Sequence, residues 1–315
     1  MTKKPLNILV TGAAGYIGSI LVPELLKIGH KIIAIDNFMY NQTSLLEHCY
    51  NKNLIIIRGD VRDKKLISKH IKGADYILPL ACFTGAPLCN KDPLGARSTN
   101  LDAIKFMLKL RSKGQRIIFP NTNSGYGIGQ KGIYCDENTP LRPISLYGRL
   151  KVEAEKIILD SGNSVSLRLA TVFGISPRMR LDLLVNDFVY RAVNDCFIVL
   201  FEADFKRNYI HVRDVARAFI HTIENFDKMK DEVYNVGLSN ANLSKRELCE
   251  EIKKQLPNFV FLESKIGKDP DQRNYIVSNS KFEKAGFKPL FSLEAGISEL
   301  IKGYQIIKRN QFSNV

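Results

Sequence analysis

The chain has 315 residues, of which 45% are hydrophobic and 25% charged, and its formal net charge is +14. This composition excludes a disordered chain, a collagen-like repeat and a small disulfide scaffold, and the length predicts one large domain or two ordinary ones. No apolar run approaches the roughly 20 residues of a membrane-spanning helix, and the N-terminus shows no signal-peptide pattern. We therefore expect a cytoplasmic protein without membrane association.

The basic residues and the cysteines do not by themselves indicate a function. Lysines and arginines are scattered and form no recognised nucleic-acid motif, so we interpret the charge as a solvated surface and expect no nucleic-acid partner. The six cysteines are well separated, without Cys-x-x-Cys or zinc-ligand spacing. We expect reduced thiols and no metal site, while the positive charge would attract an anionic nucleotide.

Strand-like and helix-like segments alternate through the first half of the chain. Short apolar runs predict strands, and apolar residues at helical spacing predict helices between them. The predicted strands are 6–11, 31–36, 53–58, 75–80, 115–120 and 164–169, and the predicted helices are 15–28, 63–71, 99–112 and 145–161. This alternation predicts an α/β fold with a doubly wound parallel sheet of the Rossmann type.

The pattern changes after residue 170, where short helical pieces and irregular stretches replace the alternation. The further predicted elements are helices at 214–225, 244–255 and 293–308 and a strand at 232–236. Ser244 and Glu247 have the spacing of a capping box at the start of the second of these helices. The predicted sheet domain comprises 1–170 and about 205–236, and the predicted smaller C-terminal lobe comprises 171–204 and 237–315.

A glycine-rich turn joins the first predicted strand to the first predicted helix. Gly12, Gly15 and Gly18 allow a tight turn, close approach of the backbone to a pyrophosphate, and close packing of helix on sheet. The helix N-terminus adds amide donors and the positive end of its dipole. An ordinary glycine turn is the alternative, but the strand–turn–helix context favours nucleotide binding by this loop, including Tyr16 and Ile17.

A carboxylate ends the second predicted strand. Asp36 lies 18 residues after Gly18, and a carboxylate there accepts hydrogen bonds from the ribose hydroxyls of adenosine and repels a 2′-phosphate. Asn37 follows it without an adjacent arginine, so the predicted cofactor is NAD rather than NADP. Asp60 and Val61 follow the third strand, where Asp60 is expected to accept from the adenine amine or, alternatively, to cap the next helix.

Tyr147 and Lys151 lie four residues apart on a predicted helix, so their side chains share one face. A phenol normally titrates near about pH 10, but a neighbouring ammonium and a positive nicotinamide favour the phenolate. Tyr147 is therefore a candidate general base for a sugar hydroxyl. Thr122, directly after the fifth strand, provides a hydroxyl for the same oxygen. A chance surface pair of tyrosine and lysine is the alternative.

Together these motifs resemble the extended short-chain dehydrogenases/reductases of the NAD-dependent sugar epimerase/dehydratase family. The resemblance extends over essentially the whole chain and includes the glycine turn, Asp36, Asp60, Leu80, Ala81, Asn100, the Thr122 turn, the Tyr147–Lys151 pair and the run 207–212. It implies that the cofactor side includes Leu80, Ala81, Cys82 and Asn100. It also implies that Arg207 binds the nucleotide of a nucleotide sugar and that Arg273 reaches the diphosphate.

The chemistry that follows hydride removal depends on residues 122–124. The 4,6-dehydratases of the resembled family carry Thr-Asp-Glu there, whereas this chain has Thr122-Asn123-Ser124, which supplies no such acid/base pair. The runs 119–129, 140–145 and 173–187 resemble the GDP-manno-heptose 4-dehydrogenases of bacterial capsule pathways. That resemblance implies oxidation of C4 of a GDP-heptose, with NADH reoxidised by a 2-keto acid. A nucleotide-sugar 4-epimerase is the alternative.

Further site residues are expected on the sugar side. Thr84 and Ser124 are expected to line the sugar pocket, and Arg178, Arg180 and Asn186 lie in the variable lobe. Either arginine is a candidate for the diphosphate because its donors form a fixed fork. A surface loop is the alternative for this segment.

The sequence also bears on the assembly of the protein and on its class of function. The helices at 99–112 and 145–161 resemble the pair that dimerises in this family, so we expect a homodimer. A catalytically inactive NAD sensor is a second functional class. The presence of Thr122, Tyr147 and Lys151 disfavours it.

Overall fold

The computed structural model describes residues 4–264, 266 and 273–307. The strands are β1 (Asn7–Thr11), β2 (Lys31–Asp36), β3 (Leu54–Arg58), β4 (Tyr76–Pro79), β5 (Arg116–Thr122), β6 (Tyr134–Cys135), β7 (Ser164–Leu169), β8 (Thr171–Phe173), β9 (Phe197–Phe201), β10 (Lys206–His211), β11 (Glu232–Val236), β12 (Asn242–Ser244), β13 (Val260–Ser264) and β14 (Ile276–Val277). The helices are α1 (Gly18–Lys27), α2 (Lys64–Ile71), α3 (Ala86–Lys91), α4 (Pro93–Arg97), α5 (Ala103–Leu110), α6 (Leu146–Asp160), α7 (Leu184–Asn194), α8 (Val212–Glu224), α9 (Phe226–Met229), α10 (Lys245–Gln255), α11 (Ser280–Lys284) and α12 (Leu293–Gly303).

Seven parallel strands form the central sheet, in the order β11-β7-β5-β4-β1-β2-β3. β1 pairs in parallel with β2 on one side and with β4 on the other. The strand order therefore reverses at β1, which opens a crevice at the carboxyl ends of β1 and β4. This arrangement confirms the predicted doubly wound sheet.

Local sequence signals fix several element ends. Asp63 accepts hydrogen bonds from the backbone amides of Lys65 and Leu66, at 2.9 and 3.1 Å, and so caps α2. Ser244 and Glu247 form the reciprocal capping box predicted for α10. Such side chains satisfy amides that have no partner within the helix, and each contributes about 1 kcal/mol.

The segment predicted as one helix at 99–112 begins with a π-helical turn and continues as α5, and two short helices precede it. Asp92 accepts from the amide of Gly95 at 2.8 Å and starts α4 at Pro93, a residue suited to the first helical position. A π-helical turn, Ser98–Asp102, follows before α5, and α3 precedes them. The continuous apolar pattern gave no sign of this π-helical turn.

Shorter sheets and helices occupy the second half of the chain. β12, β10 and β8 form one small sheet, β13 pairs with β9, and β14 pairs with β6. α7 was not predicted, because its flanks lack caps and follow an irregular stretch. α12 ends at Gly303, whereas Lys308, the predicted end of that helix, lies outside the described residues.

One apolar cluster connects the two halves of the chain. It includes Ile8 and Val10 of β1, Leu21 of α1, Phe188 of α7 and Leu300 of α12, all less than a tenth exposed. The predicted sheet domain and C-terminal lobe therefore share a core, and their exact limits stay a prediction. Among the helices that the structure describes, none combines the length and the apolar character needed to cross a membrane.

Candidate active site

The glycine turn forms a narrow cradle at the carboxyl end of β1. Gly12 has φ +66°, and a Cβ there would lie 2.6 Å from the backbone nitrogen of Ala81. A Cβ at Gly18 would lie 2.5 Å from the carbonyl oxygen of Ala13. Gly12 and Gly15 are both only partly buried. The turn therefore needs glycine for close packing and leaves backbone near the start of α1 accessible to an anion, as a pyrophosphate requires.

Tyr16 connects this turn to the segment after β8. Its hydroxyl donates to the carbonyl of Gly174 at 2.7 Å, and the hydroxyl of Ser176 donates to the carbonyl of Tyr16 at 2.7 Å. Ser19 and Ser176 are also hydrogen-bonded, at 2.8 Å. Ile17 immediately precedes α1. The Tyr16 side chain thus holds two parts of the protein together.

Asn186 completes this connection. Its Oδ1 accepts from the amide of Gly174 at 3.0 Å, and its Nδ2 donates to the hydroxyl of Tyr16 at 3.2 Å and the carbonyl of Arg180 at 2.8 Å. Both amide hydrogens are therefore used within the protein. The Asn186 side chain thereby shapes the segment around Arg180, and its direct contact with the substrate stays a prediction.

Asp36 is buried and accepts three hydrogen bonds. Oδ2 accepts from the amide of Ala14 at 2.9 Å, while Oδ1 accepts from the amide of Phe38 at 2.8 Å and from Nε2 of Gln42 at 3.1 Å. A carboxylate has about four acceptor sites, so one remains for a ribose hydroxyl. Burial raises the pKa of Asp36, and the hydrogen bonds oppose this shift.

Asp60 forms a two-pronged ion pair with Arg62 after β3. Nε and Nη2 of Arg62 each lie 2.8 Å from a carboxylate oxygen of Asp60. The hydrogen bonds from Arg62 lower the pKa of Asp60 to about 2. Asn37 Nδ2 lies 3.4 Å from the same carboxylate, and Val61 is buried beside it. The helix cap is Asp63, so the alternative capping role of Asp60 does not apply.

Arg178 lies on the Asp36 side of the crevice. Its guanidinium is 4.3 Å from the ring centroid of Tyr40, and Nη1 donates to the carbonyl of Met179. Its charge is close enough to Asp36 to lower the pKa of that carboxyl against the effect of burial. The expected contact of Arg178 with the substrate diphosphate stays a prediction. Tyr40 was not anticipated, since nothing in its sequence context indicates a stacking partner.

The loop after β4 is fixed by Asn100. Oδ1 of Asn100 accepts from the amide of Phe83 at 2.8 Å, and Nδ2 donates to the carbonyl of Phe83 at 2.9 Å. Asn100 lies in the π-helical turn, a feature frequent at functional sites. It therefore holds the segment that contains Leu80, Ala81, Cys82 and Thr84. Burial raises the pKa of the Cys82 thiol, which argues against a thiolate nucleophile.

Tyr147 and Lys151 lie on one face of α6, as the spacing predicts. Lys151 is 3% exposed, and its Nζ lies 3.8 Å from the ring centroid of Phe119. Burial lowers the pKa of Lys151. Burial raises the pKa of the Tyr147 phenol above its ordinary value, against the positive charges of Arg180 and Arg273. Hence the protein alone does not produce the phenolate, and the expected lowering of this pKa needs further positive charge.

Thr122, Ser124 and Arg273 form a polar cluster next to Tyr147. The hydroxyl of Thr122 donates to that of Ser124 at 2.9 Å, and Nη1 of Arg273 donates to the same Ser124 oxygen. A Cβ at Gly148 would lie 3.4 Å from the carbonyl oxygen of Ser124, which places this cluster against the start of α6. The structure thus brings Arg273 to the hydroxyl cluster, and its contact with a diphosphate stays a prediction.

Arg180 and Arg207 supply two further guanidinium groups. Arg180 pairs with Asp182 at 2.6 Å and lies close enough to Tyr147 to lower the pKa of its phenol. Arg207 is 3% exposed in β10, with its guanidinium 5.5 Å from the ring centroid of Tyr275. The sequence offered Arg180 for a diphosphate or a surface loop, and its proximity to the phenol depends on the path of the chain after β8.

Within the described ranges, no three histidine, cysteine, aspartate or glutamate side chains come together in a way that would hold a metal ion. A dinucleotide is the cofactor predicted for this crevice. The glycine cradle, Asp36 and the Tyr147–Lys151 pair are the features that fit such a cofactor.

The sequence profile of the NAD dependent epimerase/dehydratase family matches residues 8–237. The chain belongs to this family. NAD is therefore its cofactor, as Asp36 and the glycine turn predict.

Relatives within the family act on different compounds. UDP-glucuronic acid decarboxylase 1 of Arabidopsis thaliana is 29% identical over 318 residues, covering 96% of this chain and 71% of the relative. The structure of UDP-N-acetylglucosamine 4-epimerase from Methanobrevibacter ruminantium in complex with UDP-N-acetylmuramic acid has a TM-score of 0.84 and 25% identity, covering 96% and 99% of the two chains. UDP-glucuronic acid 4-epimerase from Bacillus cereus, in complex with UDP-glucuronic acid and NAD, has a TM-score of 0.85 and 23% identity, covering 95% and 99%.

Proposed function

We propose that this family member uses NAD to oxidise C4 of a nucleotide sugar and releases the 4-keto product. The observation that carries the proposal is the cluster of Thr122, Ser124 and Arg273 beside Tyr147. It supplies hydroxyl and guanidinium groups at the position where the 4,6-dehydratases of the family carry a carboxyl pair. The cluster offers no acid/base pair of carboxyl groups that would expel water after the oxidation.

Each group has a separate role in the proposed oxidation. Tyr147 accepts the proton of the C4 hydroxyl, and Thr122 donates a hydrogen bond to the same oxygen. Lys151 stabilises the phenolate through its positive charge. When bound, NAD⁺ accepts the hydride from C4 and adds the positive charge that further favours the phenolate. One C–H and one O–H bond break, and the C4–O single bond becomes a carbonyl.

Asn123 supports a polar ligand next to this cluster. It is 1% exposed, and neither polar atom of its amide has a hydrogen-bond partner among the described residues. A buried polar group without a partner costs about 1–3 kcal/mol. A sugar hydroxyl, or a water molecule bound to such a hydroxyl, would supply a hydrogen-bond partner for this amide.

The proposed substrate is GDP-D-glycero-alpha-D-manno-heptose, in the supply of heptose for a capsular polysaccharide. The support is the sequence resemblance of the runs 119–129 and 173–187 to GDP-manno-heptose 4-dehydrogenases. Arg207 and Arg180 are proposed to bind the nucleotide diphosphate, because a guanidinium forms paired hydrogen bonds with phosphate oxygens. A 2-keto acid is proposed to reoxidise NADH in the same site.

The experiment is to follow the near-ultraviolet absorbance of reduced nicotinamide after adding GDP-manno-heptose to the NAD-loaded protein. GDP-mannose and UDP-glucose are the control substrates. We expect a lasting rise with the heptose that approaches stoichiometry with the protein and is reversed by a 2-keto acid. If none of the three substrates gave a lasting rise in NADH absorbance, release of a ketone from them would be excluded.

A nucleotide-sugar 4-epimerase is the second candidate. Its support is the set of hydrogen bonds from Tyr16, Ser19 and Asn186 to the segment 174–180, which connects the cofactor turn to the rest of the protein. A cofactor enclosed in this way suits return of the hydride to the other face of a 4-keto sugar. The same absorbance experiment separates the two, since an epimerase gives a C4 epimer without accumulating NADH.

A further inference from the structure

Three ionisable side chains follow one another along a single face of α6. Tyr147, Lys151 and Glu155 are spaced by four residues, and Lys151 and Glu155 are each 3% exposed. A lysine and a glutamate at this spacing are neighbours on a helix and ordinarily attract each other. Burial would strengthen that attraction, because charges interact more strongly away from water.

Glu155 is instead bound by groups from the sheet. Nη2 of Arg168 lies 2.7 Å from Oε1, and Nε lies 3.2 Å from both carboxylate oxygens. Nδ2 of Asn121 and the hydroxyl of Ser166 each donate to Oε2 at 2.6 Å. These donors occupy the carboxylate from the side of β5 and β7, and the nitrogen of Lys151 lies over the ring of Phe119.

Arg168 is held in place from its other end. It is 5% exposed, and its Nη1 donates to the hydroxyl of Tyr126 at 3.0 Å and to the carbonyl of Glu137 at 3.2 Å. Its position is therefore set by the packing of the sheet and does not depend on Lys151. The fixed fork of arginine keeps two of its donors on Glu155 at the same time.

We propose that Arg168 and Glu155 are positioning residues for the reaction, because their pairing leaves the charge of Lys151 uncompensated one helical turn from Tyr147. Without Arg168, the carboxylate of Glu155 would pair with the ammonium and cancel its effect on the phenol. Without Glu155, the buried guanidinium would add positive charge behind Lys151. The inference rests on the proposed role of Tyr147 as the base.

Other groups also act on these two side chains, and all of them except Glu155 are the same in all variants. The groups that face Tyr147 are the thiols of Cys82 and Cys89 and the guanidinium groups of Arg180 and Arg273. The groups that face Lys151 are the thiol of Cys82 and the carboxylate of Glu155. A change in ionisation between variants therefore reports on the Arg168–Glu155 pair.

The test compares Arg168→Gln, Glu155→Gln and the double variant in the NAD⁺-loaded protein. The measurement is the pH at which Tyr147 ionises, from phenolate absorbance with Tyr147→Phe subtracted, together with the acid limb of the kcat/KM profile. We expect Arg168→Gln to raise this pH and Glu155→Gln to lower it, each by about half to one unit for a charge roughly 12 Å away along the helix. The double variant returns close to the wild type.

The opposite signs separate a positioning role from a structural one. Equal shifts, or no shift in either single variant, would overturn the proposal whatever the loss of stability. If Arg168→Gln does not fold, Arg168→Lys replaces it, since it weakens the hydrogen bonding to Glu155 and should raise the ionisation pH by less. Opposite shifts in phenolate absorbance without turnover of any nucleotide sugar would refute the proposed function and support this inference.

Discussion

At the scale of single residues, the crevice combines groups whose pKa values move in opposite directions. Burial raises the pKa of Tyr147 and lowers that of Lys151, so it shifts each side chain toward its neutral form relative to water. A positive cofactor stabilises the phenolate and not the ammonium. The cofactor's charge therefore helps to determine when Tyr147 becomes a base.

Replacement of Tyr147 by phenylalanine tests its role as the base. The variant keeps the ring and loses only the hydroxyl, so we expect kcat to fall roughly a hundredfold to ten-thousandfold while NAD affinity changes little. Turnover is followed by NADH absorbance and NAD affinity by titration calorimetry. An NAD sensor would retain its function in this variant, and undiminished turnover would exclude Tyr147 as the base.

The Asp60–Arg62 ion pair is expected to make the free energy of unfolding depend on pH in the acid range. The pKa of Asp60 is lowered to about 2 in the folded protein, against about 3.9 for an unfolded aspartate. The stabilisation is therefore present above about pH 4 and is lost as the pH falls toward 2. Because both side chains are partly exposed, we expect it to stay below about 1 kcal/mol.

The measurement compares urea unfolding of the wild type and Asp60→Asn at several pH values. The difference in free energy of unfolding should be largest near neutral pH and should shrink in the acid range where the wild type stays folded. A difference that does not change with pH would mean that the charge of Asp60 is not its source.

At the scale of elements, a comparison of Gly12 in the glycine turn with Gly29 after α1 distinguishes backbone strain from a steric clash. Gly12 and Gly29 both have positive φ, but a Cβ at Gly29 would have nothing within 4 Å. We expect Gly29→Ala to cost about 1–2 kcal/mol of stability from strain alone, with NAD affinity unchanged. Gly12→Ala carries the same strain plus the contact with Ala81, so NAD affinity should fall about tenfold or more. Equal NAD affinities in the two variants would contradict this account of the turn.

The sequence predicted elements well where the signal is local. β2, β7 and β11 coincide with their predicted ranges, and Asp63, Ser145 and Ser244 cap the helices that follow them. Alternating apolar segments and caps depend on neighbours within one turn or one strand. Their positions therefore follow from the order of residues alone.

The side-chain contacts of the crevice depended on segments that are distant in the chain. Arg178 was expected at the substrate and lies by Tyr40, while Arg273 was expected at the diphosphate and donates to Ser124. The side-chain amide of Asn186 is hydrogen-bonded to Gly174, Tyr16 and Arg180. Which way such a side chain points is decided by packing between remote segments, and no local pattern encodes it.

At the scale of the whole molecule, Tyr16 connects the cofactor turn with the second half of the chain. Tyr16→Phe removes a buried donor to Gly174 and an acceptor for Asn186, so we expect a loss of about 1–3 kcal/mol in stability. We also expect faster release of NAD, measured by stopped-flow fluorescence after dilution. Tyr76→Phe is the matched control, because it likewise removes a buried donor to a carbonyl, that of Ile223, and an acceptor for Arg116. A release rate equal to that of the control would show that the connection does not retain the cofactor.

The homodimer is a further prediction at this scale. The surfaces expected to pair are those of α5 and α6, and α6 also carries Tyr147 and Lys151. Light scattering at several concentrations should give twice the mass of the chain. Only monomer at every concentration would exclude the dimer. Charge reversal at exposed Glu153, which pairs with Lys105 at 2.9 Å, should weaken association without changing the fold.

The central position of β1 affects when the chain can fold during its synthesis on the ribosome. β1 is synthesised first, yet it lies between β2 and β4, and its side chains share an apolar cluster with α12. α12, which belongs to the same cluster, therefore leaves the exit tunnel long after β1. We expect the nascent chain to fold only once α12 is free and to depend on chaperones until then.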